Sequence, residues 1–475
     1  MEKKLHFETL QIHAGRHRDH TCSRGAAIYP TAAYEFPSCD YAADLFNLKE
    51  FGNIYTRLQN PTSNAYEEKV AALEGGVGAL AVSSGMSAQL VVITSLCKAG
   101  DNIVAAPLLY GGTFNQFKIT FRKMGIDCRR AENDSVEAFE RLIDENTKAI
   151  YVESMSNPAC SVPDLEALAE LAHKWDIPFV VDNTFGACGY LCRPIEHGAD
   201  IVVESATKWI NGHGTAMGGV IVDAGTYNWK NGKFPELSGP SEGYHGLVLA
   251  EAFGNMAFIV KCRVDALRDL GCSPSSFDSY LMQLGLQTLA LRTRHEVEST
   301  ARLAEYFRSH PLVDNVQWVG FPEHPSYKNA QKYFRHGSSA VLSVVLKGDL
   351  QTTVKFVEAL QLVLHMTMIG DSVSVVTHPA STTHKQLSDE EQRSAGVTPT
   401  LLRISAGLEN VEDIIADFEQ AFSVAFKSGE RISHRICCVT LGLGMLIYAT
   451  VNSASSPIAS LASAARYALV GKIDN

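Results

Sequence analysis

Residues 177–208 read "IPFVVDNTFGACGYLCRPIEHGADIVVESATK". Two apolar runs, Phe179–Val181 and Ile201–Val203, each stop abruptly on polar residues. The first ends in Asp182-Asn183-Thr184 and the second in Glu204-Ser205-Ala206-Thr207-Lys208. Runs that are apolar throughout, rather than at every second residue, suit strands covered on both faces, as in a parallel sheet flanked by helices. Working outward, "GALAVSS" (78–84), "KAIYVES" (148–154) and "GGVIVD" (218–223) repeat the pattern. "SAQLVVITSLCKAG" fits a helix closed by Gly100, and "LEALAELAHKWD" (165–176) is a strongly amphipathic helix. Alternating strands and helices over residues 61–262 define an α/β domain with a mostly parallel sheet.

Residues 1–60 mix short apolar patches with turn residues and read as an arm. Over 263–430 helical segments precede strand-like "AVLSVVLKG" and "LLRISAG", and the helix candidate "VEDIIADFEQAF" follows, which predicts a smaller α+β domain. Residues 431–475 fit neither pattern. Their apolar stretch "ICCVTLGLGMLIYATV" (436–451) is shorter than the roughly 20 residues a membrane span needs and carries two glycines. It reads as a packed or poorly ordered tail rather than an anchor.

The chain has 475 residues, 46% hydrophobic and 20% charged, the balance of a protein with a sizeable core. A net charge of -11 gives no electrostatic reason to bind nucleic acid or an anionic membrane. Eleven cysteines are scattered with no Cys-x-x-Cys pair, which supports neither a zinc site nor a disulfide framework. With no apolar stretch of signal-peptide length in "MEKKLHFETLQIHAG", a cytoplasmic setting is expected.

Ligands of open α/β sheets sit outside the carboxyl ends of the strands. Those ends collect Asp182, Glu153 leading to Asn157, Ser84-Gly85-Met86 at a helix start, and Ser205-Ala206-Thr207-Lys208. A helix opened by Ser and Gly offers free amide N–H groups to an anion, and Ser205 and Thr207 add hydroxyl donors. Taken singly each feature has a plainer reading: a solvated lysine, an N-cap aspartate, a turn. Together they supply an amine, a carboxylate and an anion cradle, which is what pyridoxal 5'-phosphate requires. That cofactor bonds a lysine through its aldehyde, pairs its ring nitrogen with a carboxylate and carries a phosphate.

The chain resembles the γ-family of pyridoxal-phosphate enzymes of cysteine and methionine metabolism, and within it the O-acetylhomoserine sulfhydrylases. The resemblance spans residues 5–426 and rests on "ETLQIHAG", "YTRLQNPTSNAYEEKVAALEGG", "VSSGMSA", "VVDNTFGACGYLCRPIEHGADIVVESATKWINGHG", "GYHGLVLAEAFGNMAF", "HPASTTHKQL" and "LLRISAGLENVEDIIADF". It implies a large pyridoxal-phosphate transferase domain of type I fold followed by a smaller domain. It also implies that Lys208 is joined covalently to the cofactor and that Asp182 pairs with the ring nitrogen. Gly85, Met86, Ser205 and Thr207 would hold the phosphate, Tyr110 would stack on the ring, and Asn157 would lie beside the ring oxygen. Tyr55 and Arg57 would reach the phosphate of a neighbouring subunit, so the resemblance implies a homo-oligomer, a dimer of dimers. Arg403 would clamp the substrate's α-carboxylate.

The implied reaction is γ-replacement on O-acetyl-L-homoserine by sulfide or methanethiol, giving homocysteine or methionine, with Lys208 moving protons at Cα and Cβ. The alternatives are a carbon or amine nucleophile on the same electrophile, a methionine γ-lyase or cystathionine-type lyase, and a catalytically silent relative. Motifs around "THKQL" and "YHGL" favour the transferase. Three positions depart from the sulfhydrylase pattern. Met368 stands where those enzymes usually carry Asn, beside the substrate's carboxylate region, while Glu204 and Asn211 stand where they often carry His and Gly.

Overall fold

A computed structural model describes residues 5–426 except 19, 384, 386–389, 391 and 393–395. Seven strands form the first sheet: β1 Gly78–Val82, β2 Asn102–Ala105, β3 Asp127–Arg130, β4 Thr147–Glu153, β5 Phe179–Asp182, β6 Ile201–Glu204 and β7 Gly219–Asp223. Their spatial order is β1-β7-β6-β5-β4-β2-β3. All pairings are parallel except those of β7, which runs antiparallel to both β1 and β6. Register aligns Glu153 with Asp182 and Asp182 with Val203, so three strands end level with one another. Val180, Val181, Ile201 and Val202 are wholly inaccessible to solvent. Each such side chain contributes about 1.5–3 kcal/mol to folding, so the Val/Ile runs that predicted the sheet also hold it together.

The helices that matter to the site flank this sheet. α1 Pro61–Glu74 starts on Asn60, whose side chain accepts the Thr62 N–H at 2.9 Å. α2 Gly85–Leu96 starts on Ser84, whose Oγ accepts the Ser87 N–H at 3.1 Å. α2 ends earlier than its sequence implied. The chain turns extended at Cys97, and Gly100 (φ +97°) instead makes the turn into β2. The amphipathic helix α3 is Leu165–Lys174. The long helical stretch after residue 275 is broken into α4 Ser276–Leu286 and α5 Leu289–Ser309.

A second sheet contains β8 Val313–Gln317, β9 Val341–Leu346, β10 Leu364–His365, β11 Val375–Thr377 and β12 Leu401–Ser405, in the order β10-β11-β12-β9-β8. β12 is paired on both sides, so Arg403 sits opposite Thr377 and Ser343. The final described helix, α6 Val411–Ala425, covers this sheet with Ile414, Phe418 and Phe422. α5 belongs to both hydrophobic cores: Leu289, Ala290 and Val297 pack with the first sheet, and Leu303, Ala304 and Phe307 with the second.

Among the described residues no helix is long and apolar enough to cross a membrane. The apolar stretch 436–451 lies outside the described residues, as do His384, Gln386 and Leu387 of "THKQL".

Candidate active site

The carboxyl ends of β4, β5 and β6, the start of α2 and the segments carrying residues 367–369 and Arg403 enclose a cavity of about 180 Å³. Lys208, Asp182, Gly85, Met86, Ser205, Thr207, Tyr110, Asn157 and Arg403 all line it. The structure therefore gathers nine of the residues singled out by sequence.

Asp182 ends β5 with its carboxylate held by four donors. Oδ1 accepts the Thr184 N–H and hydroxyl at 3.0 and 2.6 Å. Oδ2 receives Gln89 Nε2 and the Tyr151 hydroxyl, each at 3.3 Å. Burial raises the carboxyl above its ordinary range, and these hydrogen bonds oppose the rise. Neither Gln89 nor Tyr151 was picked out from sequence, although both carry a positional signal. Gln89 lies four residues after Gly85 on one face of α2, and Tyr151 lies two residues before Glu153 on one face of β4.

Lys208 follows β6 in a tight turn in which its N–H bonds the Ser205 carbonyl at 3.2 Å. Its Nζ approaches the Met368 Sδ at 3.3 Å. Burial, helped by the positive charge of Arg403, lowers the amine to about 8, and Asp371 opposes the shift. A lysine so tuned is partly neutral near neutral pH, the state in which it acts as nucleophile or base.

The anion cradle is built from close approach. A Cβ on Gly85 would sit 2.8 Å from the Cβ and 3.0 Å from the Cα of Ser205, so glycine is needed to bring the α2 amide end against the β6 turn. The Ser205 N–H donates to Thr184 Oγ1 at 2.9 Å, and the Thr207 hydroxyl and the Gly218 backbone fix one another.

Arg403 is 3% exposed. Nη1 donates to Asn157 Oδ1 at 3.0 Å, and Nη2 to the Met368 carbonyl and the Thr377 hydroxyl at 3.0 and 2.9 Å. Among the described residues its Nε has no hydrogen-bond partner, and burial lowers the guanidinium to about 10. A buried cation with an unused donor fits an incoming carboxylate.

Tyr110 caps the short helix Gly111–Asn115 and stands 41% exposed at the cavity mouth. Its N–H donates to Glu153 Oε1 at 2.6 Å. Burial, then the charge of Asp182, pushes Glu153 well above the usual carboxylate range. Sequence reading reached Glu153 only as a strand end.

Met368 bears on the cavity through its sulfur at Lys208 and its carbonyl at Arg403, between Thr367 and Ile369, which line the wall. Glu204 is buried behind the turn: it accepts the Cys188 N–H at 3.1 Å and lies beside Glu74, with burial raising both carboxyls and the Glu74 charge raising Glu204 further. Asn211 organises the following loop, accepting the Thr215 N–H at 3.0 Å. Tyr55 and Arg57 do not line this cavity. Both are exposed, with the guanidinium 5.3 Å from the tyrosine ring centroid.

The donor set fits pyridoxal 5'-phosphate: a carboxylate and an amine of lowered basicity face one cavity, beside a helix start kept open by glycine. The family model for Cys/Met metabolism PLP-dependent enzymes matches residues 8–423, and the chain belongs to that family. It is an enzyme whose cofactor is pyridoxal phosphate. The chain is 52% identical to the sulfhydrylase FUB7 of Gibberella moniliformis, over 88% of this chain and 98% of that one. It is 50% identical to the homocysteine synthase of Schizosaccharomyces pombe, over 88% and 99%. The Campylobacter jejuni metY protein, crystallised with N'-pyridoxyl-lysine-5'-monophosphate, is 36% identical. It superposes with a TM-score of 0.85 over 88% of this chain and 100% of its own.

Proposed function

We propose that this enzyme exchanges the γ-substituent of O-acetyl-L-homoserine for a sulfur nucleophile, releasing acetate and forming homocysteine from sulfide or methionine from methanethiol. The observation that carries the reading is the placement of Lys208 Nζ and the unpartnered Nε of buried Arg403 on one cavity with Asp182. Bound pyridoxal 5'-phosphate supplies an aldehyde and an electron-withdrawing ring that stabilises negative charge at the substrate's α-carbon.

The residues around it have separable tasks. Asp182, fixed by Thr184, Gln89 and Tyr151, holds a proton at the ring nitrogen. Gly85, Met86, Ser205 and Thr207 bind the phosphate, and Asn157 and Tyr110 orient the ring. Arg403 binds the α-carboxylate and so fixes which Cα–H faces Lys208. Lys208 would hold the cofactor through its aldehyde, and its freed amine would move protons at the substrate's Cα and Cβ, which departure of the γ-substituent requires. Its lowered basicity lets it release as well as accept a proton.

Tyr55 and Arg57, exposed and away from their own chain's cavity, complete the phosphate site of a second copy, so the active assembly contains at least two chains and, as a dimer of dimers, four. The setting proposed is the cytoplasm.

A second reading keeps the electrophile and changes the nucleophile to a carbon or amine compound. Met368 favours it: its thioether lies against Lys208, and Met86, Met155, Met217, Ile369 and Phe185 make the surrounding wall apolar. One experiment separates the two. Holoenzyme is given O-acetylhomoserine with sulfide, methanethiol, an aldehyde or an amine, and products are identified by mass. Homocysteine or methionine as the dominant product supports the first reading, and a carbon- or nitrogen-linked product the second. Keto acid and ammonia formed without any added nucleophile would overturn both in favour of a lyase.

A further inference from the structure

Lys208 is followed by a tryptophan whose surroundings are unusually restrictive. Trp209 is 1% exposed, and its indole Nε1 donates to Glu296 Oε2 at 2.7 Å. One turn earlier on α5, Arg292 Nη2 donates to the Trp209 carbonyl and to the Gly285 carbonyl, both at 2.9 Å. Residues 292 and 296 are neighbours on one helical face, so a single stretch of α5 grips both the main chain and the ring of the residue after the lysine.

The rest of the loop is equally constrained. A Cβ on Gly212 would lie 1.9 Å from Arg292 Nη1, and one on Gly285 would lie 2.2 Å from the Ile210 carbonyl oxygen. The indole also meets Gly370, where a Cβ would fall 2.4 Å from the ring. Gly370 lies two residues beyond Met368, whose sulfur touches Lys208 and whose carbonyl holds Arg403. The indole is thus wedged between the helix that grips it and the segment that faces the lysine amine.

Glu296 is 0% exposed, and among the described residues its Oε1 has no hydrogen-bond partner. Burying such a group costs stability unless specific contacts compensate, and here they are the charge of Arg292 and the hydrogen bond from Trp209, with Asp371 opposing. Neither Glu296 nor Arg292 lines the cavity.

We propose that Glu296, acting through Trp209 with Arg292, is a positioning residue that sets Lys208 against Met368 and the α-carboxylate site at Arg403. This rests on the assignment of Lys208 as the cofactor-bearing lysine. Glu296 touches no reacting atom. Its effect is to fix where the Lys208 amine stands, and an error of 1 Å there is enough to lose up to about 100-fold in rate.

The test uses holoenzyme and the variants Glu296→Gln, Glu296→Leu, Trp209→Phe and the Glu296→Leu/Trp209→Phe double. Readouts are the visible absorption band of bound cofactor titrated with pH, cofactor content, melting temperature and kcat/KM. Glu296→Gln keeps an acceptor for the indole and is expected to titrate as wild type. Glu296→Leu and Trp209→Phe are expected to hold full cofactor, to move the titration midpoint by about 0.5 pH unit or more and to lower kcat/KM about 10-fold. The double variant should lose no more than either single. A wild-type midpoint and kcat/KM in both single variants, or losses that add in the double, would overturn the proposal. Should Glu296→Leu fail to fold, an unchanged midpoint in Trp209→Phe suffices to overturn it. Cofactor that borohydride still fixes covalently to Lys208→Ala would instead overturn the lysine assignment.

Discussion

Arg403→Lys tests the carboxylate site more sharply than any truncation, because it keeps the charge and changes only the donors. A guanidinium has five N–H groups. Three are engaged by Asn157, the Met368 carbonyl and Thr377, leaving the Nε–H and one Nη1–H for substrate. A lysine has three N–H groups, and the same three acceptors surround it. Nothing remains for an incoming carboxylate. The loss is therefore one to two hydrogen bonds between charged groups. With competition from water, we expect about 2–3 kcal/mol, or about 30- to 150-fold in kcat/KM. The loss should appear mainly in KM for O-acetylhomoserine, with cofactor content unchanged. Steady-state kinetics over a range of substrate, with cofactor measured by absorbance, reads both. A KM within about threefold of wild type would refute the donor count, as would a loss of cofactor as large as the loss of activity.

Lys208→Met should stabilise the cofactor-free protein. The folded amine is lowered from 10.5 to about 8 by burial, so the folded state disfavours the proton. At pH 7 this costs up to about 3 kcal/mol. The variant's advantage is full below pH 8 and fades as pH rises toward 10.5, and urea unfolding at pH 7 and pH 10 would read it; an equal advantage at both would refute it. Gly85→Ala forces a Cβ against Ser205 and should lower stability by about 1–3 kcal/mol together with cofactor affinity, measured by melting with and without added cofactor. Arg57→Ala should leave folding within about 0.5 kcal/mol yet weaken cofactor retention in the assembled enzyme. Unchanged retention on dialysis would count against the shared phosphate site.

Legibility in the sequence followed burial. β1, β4, β5, β6 and β7 are predominantly apolar and covered on both faces, so their apolar runs marked them. β3, "DCRR", lies at the sheet edge with mostly accessible side chains and carries no such run. β10 is only two residues long, and both are exposed. Gly85, Met86, Asp182, Ser205, Thr207 and Lys208 were legible because they stand at strand ends or just after them, whereas Tyr110 and Arg403, the latter in the middle of β12, were legible only through the family resemblance. The groups that brace those residues were harder to find. Glu296 meets Trp209 across 87 positions, and Gln89 meets Asp182 across 93. Pairings of that kind depend on how helices lie across the sheet, which no local pattern encodes. Met368 shows the converse: a departure visible in sequence acquired its meaning only when its sulfur was found against the lysine.

The lodging of α5 in both cores has a thermal consequence. Its first turns are sealed by side chains of the larger sheet and its last turns by those of the smaller one. Heat cannot melt one layer while leaving the other intact without breaking a continuous rod of 21 residues in the middle. A calorimeter should therefore record the two sheets surrendering their structure in a single endotherm.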